Sequence, residues 1–298
     1  MITQNTNASQ AAAAMPPAGG RKKGFLGPQV NQVVIVVILS ALVILTLVPI
    51  LFMVVSSLKN NSQILSSFWS LPSPAQWDNY GLAYDKIWRY MLNTILYAVT
   101  ASVLVMALSA VGGYIFAKKS FPGKEVLFFV MLAMMMIPSV LTLIPAYVLY
   151  ENMGLTNTPW VILIASAAGG QVFGTFLCRS SMAGIPDEMF EAARMDGASE
   201  LTVFMRMVLP LSLPILATLF IMHSVGVYND YVWPLLTIRD SSIQVISVGL
   251  TTAFSKYGMV EMGPQFAAYA ISSIPLVLTF AFGMKYYVQG MTQGALKM

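Results

Sequence analysis

Residues 185–214 read "IPDEMFEAARMDGASELTVFMRMVLPLSLP" and lie between two apolar runs. The 298-residue chain has 16 Lys+Arg and 12 Asp+Glu, and seven of these 28 charges fall in twenty residues: Asp187, Glu188, Glu191, Arg194, Asp196, Glu200 and Arg206. Pro186 suits the first position of a helix, where its missing N–H is not needed. Asp187, Glu188 and Glu191 follow, and acidic side chains stabilise the positive end of a helix dipole. Gly197 is able to end that helix in a left-handed conformation. Ser199 and Glu200 then open a second helix, which meets the next apolar run at Pro210 and Pro214. The stretch reads as helix, sharp turn, helix. Met189 and Phe190, expected to be exposed beside Ala192 and Ala193, would give a surface that another protein approaches closely. Periodicity leaves open a plainer alternative, a solvated connector whose charges keep it out of lipid.

Outward from this stretch the chain is apolar. Charged residues are 9% of it, against about 25% in soluble domains, so it reads as a polytopic membrane protein. A helix needs about 20 mostly apolar residues to cross a bilayer. Six segments qualify: 33–55; 91–117, with Asn93 its one strongly polar residue; 126–150, broken by Pro138 and Pro145; 160–178; 211–229, which holds His223; and 266–284. The fold class is therefore all-α with six transmembrane helices. Residues 1–30 are small and polar and read as a disordered leader. Residues 31–288 form the six-span domain, 179–208 its charged loop, and 289–298 a C-terminal tail. "RKKG" before the first span resembles a signal peptide, but the apolar run is too long and no small-residue cleavage site follows. It reads as an uncleaved first span.

Lys and Arg set the orientation. With the N-terminus inside, the inner segments hold eleven (Arg21, Lys22, Lys23, Lys118, Lys119, Lys124, Arg179, Arg194, Arg206, Lys285, Lys297) and the outer segments five (Lys59, Lys86, Arg89, Arg239, Lys256). Both termini are expected in the cytoplasm, and the basic balance needs no nucleic acid. The outer loop near 56–90 carries "FWSLPSPAQWDNY", and its aromatics read either as interfacial anchors or as a docking surface. Rows of small residues four apart, Ser109–Gly113–Ala117 and Gly170–Gly174, would let helix backbones approach closely, within this chain or with another.

The sequence holds no phosphate-binding G-x-x-x-x-G-K-[ST] loop and no G-x-S-x-G nucleophile elbow. One His and one Cys cannot supply a zinc cluster, so no metal and no catalytic residue is expected. Of ionisable groups only His223 lies well inside a span, where it serves either as a hydrogen-bonded bridge between helices or as a proton relay. Asp230, in "YNDYVWPLL", faces water, caps a turn or lines a substrate path. With Tyr228, Asn229 and Trp233, these two make the candidate translocation residues.

"EAARMDG" followed by "ASELTVFMRMVLP" resembles the EAA loop of bacterial ATP-binding-cassette importer permeases. That pattern is E-A-A, three residues, G, nine residues, I, one residue, L-P. It falls on Glu191, Ala192, Ala193, Gly197, Leu209 and Pro210, with Met207 at the usual Ile. The six-span layout, "YNDYVWPLL" and the tail "VQGMTQGALK" are similar to the carbohydrate-type, MalG-like permeases. The resemblance implies a type I importer permease fold in the bacterial cytoplasmic membrane and a non-catalytic subunit. It implies a homologous second permease, a dimer of cytoplasmic ATPase subunits that bind ATP and Mg, an extracytoplasmic solute-binding protein and a carbohydrate substrate. Glu191, Ala192, Ala193, Arg194, Asp196, Gly197, Leu209 and Pro210 would couple to the ATPase, and Gln289, Gly290, Thr292 and Gln293 of the tail would reach toward it. A secondary carrier or channel without an ATPase is the alternative; it would rest on His223 and leave the loop spacing unexplained.

Overall fold

The computed structural model describes the backbone of residues 28–256 and 259–295, and the side chains of residues 32–254 and 261–284. The expected leader therefore lies outside the described residues except for 28–30, which open the first helix. In chain order the helices are α1 (Pro28–Ser57), α2 (Asn61–Ser66), α3 (Asp78–Lys118), α4 (Lys124–Met135), α5 (Ser139–Asn152), α6 (Pro159–Met182), α7 (Asp187–Met195) and α8 (Glu200–Val203). A π-helical turn (Phe204–Val208) leads into α9 (Leu209–Leu211), α10 (Leu213–Asn229), α11 (Val232–Thr237) and α12 (Ile246–Thr252). A hairpin of two two-residue strands, β1 (Ser255–Lys256) and β2 (Met259–Val260), precedes α13 (Met262–Ala295).

Four helices are long and apolar enough to cross a membrane: α1, α3, α6 and α13. Two bent pairs bring the total to six. Glu200–Leu211 and α10 meet at 72°, and α4 and α5 meet at 99°. At the α4–α5 break the N–H groups of Met136 and Ile137 reach back only three residues, to Ala133 and Met134. Pro138 then disfavours helical backbone at the residue before it. Pro145, expected to break the same span, does not: α5 runs through it. Its missing N–H costs one bond, to the carbonyl four residues earlier, and the turns on either side continue.

The chain divides at residue 52. Residues 28–52 belong to α1, a single apolar helix. In the second unit, α3 is the central element: it packs along α6, α10 and α13. It has 41 residues and no proline, so it extends about 60 Å. It begins thirteen residues before the apolar run at Met91, because Asp78, Asp85, Lys86 and Arg89 make its first turns invisible to hydropathy. One apolar cluster at its C-terminal half gathers Val105, Ala110, Cys178, Met182, Phe190, Val208 and Leu219; another, near Tyr97 and Ala101, adds Tyr150, Val161 and Val227. The long region after α10 is ordered as α11, α12 and the hairpin.

Candidate functional site

The charged stretch forms the bent pair expected from its punctuation. Pro186 stands one position before the helix, at its N-cap. Gly197 has φ +75, a conformation that an L-residue with a Cβ adopts at a cost. Ser199 caps α8, its Oγ accepting from the Thr202 N–H at 3.3 Å. Between Phe204 and Val208 the helix widens: the Leu209 N–H donates to the Phe204 carbonyl, five residues back. Sequence periodicity did not suggest this turn.

Phe190 is not exposed. It is 4% accessible and stacks on Tyr114 of α3, centroids 6.3 Å apart at 22°. The Lys118 ammonium lies 5.1 Å over its ring. An aromatic side chain next to the bundle gains more by burial than by facing water. The outward face of α7 instead holds Glu188, Met189, Glu191, Ala192, Arg194, Met195 and Asp196, with Ala193 half-buried. Met195 is 88% accessible. Among the described residues no hydrogen bond or ion pair is found for the Glu191 side chain. Met207 and Leu209 pack partly buried against the apolar cluster that holds Phe190, and Pro210 is exposed.

Polar contacts join this segment to α3. The Lys118 ammonium donates to the Ile185 carbonyl and to Asp187 Oδ1, both at 2.6 Å. Tyr114 Oη donates to Glu200 Oε2 at 2.8 Å, and Lys119 pairs with the same oxygen at 2.5 Å. Arg194 stands 3.9 Å from Glu200 Oε1. Lys119 first, then Tyr114, hold the Glu200 carboxyl below its ordinary range. Tyr114, Lys118 and Lys119 were not singled out as site residues. They lie 67 to 86 positions away from their partners, and the two lysines had served only as orientation charges.

The candidate translocation residues divide. His223 bridges three helices: Nδ1 is 3.1 Å from Ser102 Oγ of α3, and Nε2 is 3.3 Å from the Ser166 carbonyl of α6. Ser224 Oγ donates to Ser102 Oγ at 2.9 Å. His223, Asn229 and Asp230 line a cavity of about 540 Å³ with Ser166, Gly170 and Met222. Asp230 also lines a second, of about 650 Å³, with Thr142, Tyr150 and Trp233. Trp233 meets Tyr150 edge-on at 5.5 Å, and its Nε1–H donates to the Val161 carbonyl at 3.1 Å. Tyr228 does not join them. It points to the other side of α10, 7% accessible, its Oη donating to the Ser272 carbonyl at 2.7 Å. One step along a helix turns a side chain by about 100°, so Tyr228 and Asn229 cannot share a face. The tail residues Gln289, Gly290, Thr292 and Gln293 fall on the α13 backbone, and their side chains lie outside the described residues.

A bundle of membrane-crossing helices with a charged, bent helix pair between its fourth and fifth spans has the architecture of a transport permease. Residues 109–293 match the family described as binding-protein-dependent transport system inner membrane component. The diacetylchitobiose uptake system permease protein of Streptomyces coelicolor is 30% identical over 257 residues, 85% of each chain. A probable ABC transporter permease of Bacillus subtilis is 31% identical over 84% of this chain and 83% of its own. The arabinooligosaccharide transport permease of Bacillus subtilis is 26% identical over 90% and 96%. In structure, the chain resembles one in a bacterial ABC transporter involved in import of the acidic polysaccharide alginate, with TM-score 0.79, 23% identity, and coverage of 88% of this chain and 99% of that one. The chain belongs to the family of inner-membrane components of binding-protein-dependent transport systems. It is a multi-pass membrane permease subunit with the type I importer fold.

Proposed function

We propose that this permease imports a carbohydrate, an oligosaccharide in particular, and that α7 is its socket for a cytoplasmic ATPase dimer. The observation that carries the second part is the division of α7. Phe190 anchors one face in the bundle, while the side chains of Glu191, Ala192 and Met195 stand outward and exposed. A small-residue surface beside a flexible apolar side chain and an unpaired carboxylate suits close docking. The substrate class is supported by the relatives' names, which include diacetylchitobiose, arabinooligosaccharides and melibiose/raffinose/stachyose.

In this reading ATP and Mg are bound by the ATPase, and a homologous second permease completes the pathway. An extracytoplasmic binding protein delivers the sugar. Both termini lie in the cytoplasm, as the Lys/Arg asymmetry favours, and the tail around Gln289, Gly290, Thr292 and Gln293 approaches the ATPase. The two cavities that meet at Asp230 form this subunit's part of the passage. Asp230 and Asn229 offer sugar hydroxyls an acceptor and a donor, and Trp233 an aromatic wall. His223, engaged at both ring nitrogens, ties the helices around it.

The test is co-purification and transport in the reconstituted complex. Glu191→Lys and Met195→Glu are expected to release the ATPase while the chain still inserts in the membrane. Asp230→Ala is expected to keep the ATPase and to lower uptake of diacetylchitobiose or arabinooligosaccharide. Unchanged assembly in both α7 variants would sink the docking assignment.

A further inference from the structure

We infer that α3 is the strut that carries the motion of α7 across the membrane to the mouth of the Asp230 groove, with Tyr114, Lys118, Glu200 and Asn93 as its positioning residues. The inference rests on the ATPase-docking reading of α7. It adds the route by which a displacement there reaches the outer face.

At the inner end, the last turn and a half of α3 grips the coupling segment in several independent ways. Lys118 holds the chain on both sides of Pro186, through the Ile185 carbonyl and the Asp187 carboxylate at 2.6 Å each. The Lys118 side chain is only 8% accessible, whereas that of Asp187 is 81% accessible, so the bond to the Ile185 carbonyl is the sheltered one and the ion pair faces solvent. Tyr114 stacks on Phe190 and donates to Glu200 at 2.8 Å. Lys119 reaches the same Glu200 oxygen. Both helices of the bent pair, α7 and α8, are therefore fastened to one element.

Toward its outer end, α3 holds a second segment just as closely. Asn93 Nδ2 donates to the carbonyls of Ser242 and Gln244 at 2.9 and 3.0 Å. Tyr97 Oη donates to the Ile243 carbonyl at 3.0 Å, and the Ile246 N–H donates to Thr94 Oγ1 at 2.8 Å. Further out, Lys86 pairs with Glu261. The segment so held passes its position on: Ser247 Oγ donates to the Asp230 carbonyl at 2.6 Å. The chain of contact is α7, α3, residues 242–247, Asp230. Between its two ends α3 is one unbroken helix. The fifth span, by contrast, bends by 72° just beyond α9. A continuous helix transmits displacement as a rigid body, whereas a break absorbs it.

The experiment uses the complete complex in proteoliposomes and needs no transported sugar. Asp230→Cys is labelled with a membrane-impermeant maleimide, with and without ATP and vanadate. ATP with vanadate is expected to change the labelling rate in the otherwise unsubstituted chain. In Lys118→Met with Glu200→Gln that change is expected to shrink about fivefold or more, the lower end of coupling between linked sites, while the ATPase still co-purifies. Asn93→Leu, far from α7, is expected to do the same from the other end, and it decides the matter if the inner pair of substitutions also loosens docking. A full-sized change in Asn93→Leu, or in the inner variant with the ATPase bound, overturns the strut. Failure of the ATPase to co-purify with the unsubstituted chain overturns the docking reading and the strut together.

Discussion

Ser109 of α3 and Gly174 of α6 lie face to face, so close that a Cβ at Gly174 would collide with the Ser109 hydroxyl. Four residues on, Gly113 lies against Cys178 in the same way, with the Arg179 main-chain nitrogen 3.0 Å from where its Cβ would be. One residue of each row, Ser109 and Gly174, thus meets the other within one chain, while Gly170 faces His223 and Val105; the small residues at Gly113 and Gly174 let the α3 and α6 backbones approach.

We predict that Gly113→Leu destabilises the fold by at least the ~1–3 kcal/mol of ordinary overpacking, because main chain cannot move aside as a side chain does. Gly81→Ala, on the same helix with nothing within 4 Å of its Cβ, is the control and should stabilise slightly if anything. Thermal unfolding of the detergent-solubilised protein compares them; equal midpoints would refute the close-approach account.

Phe190 and Met195 should separate stability from docking. Phe190→Ala removes a buried ring and is expected to cost about 3 kcal/mol, the low end for aromatic core truncations. Limited proteolysis should then cut near α7. Met195→Ala should leave the protease pattern alone and weaken only ATPase co-purification. The idea fails if proteolysis responds to Met195 and not to Phe190.

Gly197 tests the turn. Its Cβ would meet open space, so the cost of a side chain is conformational alone. Gly197→Val is expected to destabilise the loop by about 1–2 kcal/mol. Gly197→Asn should cost less, because Asn visits the left-handed region more readily. Hydrogen exchange of the amides at Asp196 and Ala198 would report the difference; an Asn variant as frayed as the Val variant would count against it.

The Glu200 cluster has a defined pH dependence. Lys119 and Tyr114 lower the folded-state pKa of Glu200 from its ordinary 4.5. Its contribution is therefore present above pH 4.5 and is lost as pH falls through the lower folded value. The carboxylate is exposed, so the effect is small. The midpoint difference between the unsubstituted chain and Glu200→Gln should be positive at neutral pH and narrow as the pH falls below 4.5. A difference that grows on acidification would contradict the assignment.

Much of this architecture is legible in the residues. Apolar runs marked the spans, Gly197 and Ser199 marked the bend, and the spacing from Glu191 to Pro210 marked the family. What escaped depends on distance along the chain. Nothing near Phe190 says that Tyr114 waits to cover it, and nothing near Asn229 says that Tyr228 turns toward Ser272. Pro145 was overweighted because a missing donor within a continuing helix looks the same in sequence as one at a break. The first turns of α3 are hidden from a hydropathy reading because they carry Asp78, Asp85, Lys86 and Arg89, of which Lys86 pairs with Glu261.

The π-helical turn has a consequence for how the chain tolerates changes in length. Val203 and Val208 are 4% and 0% accessible and five residues apart, a spacing that in an α-helix would set them about 140° apart. The wide turn brings both onto the buried side, so it holds one residue of slack. Deleting a single residue between Phe204 and Val208 would let the turn tighten to α winding with the helices on either side still aimed as before. Adding one residue has no such outlet and would swing α10 and everything beyond it to a new face.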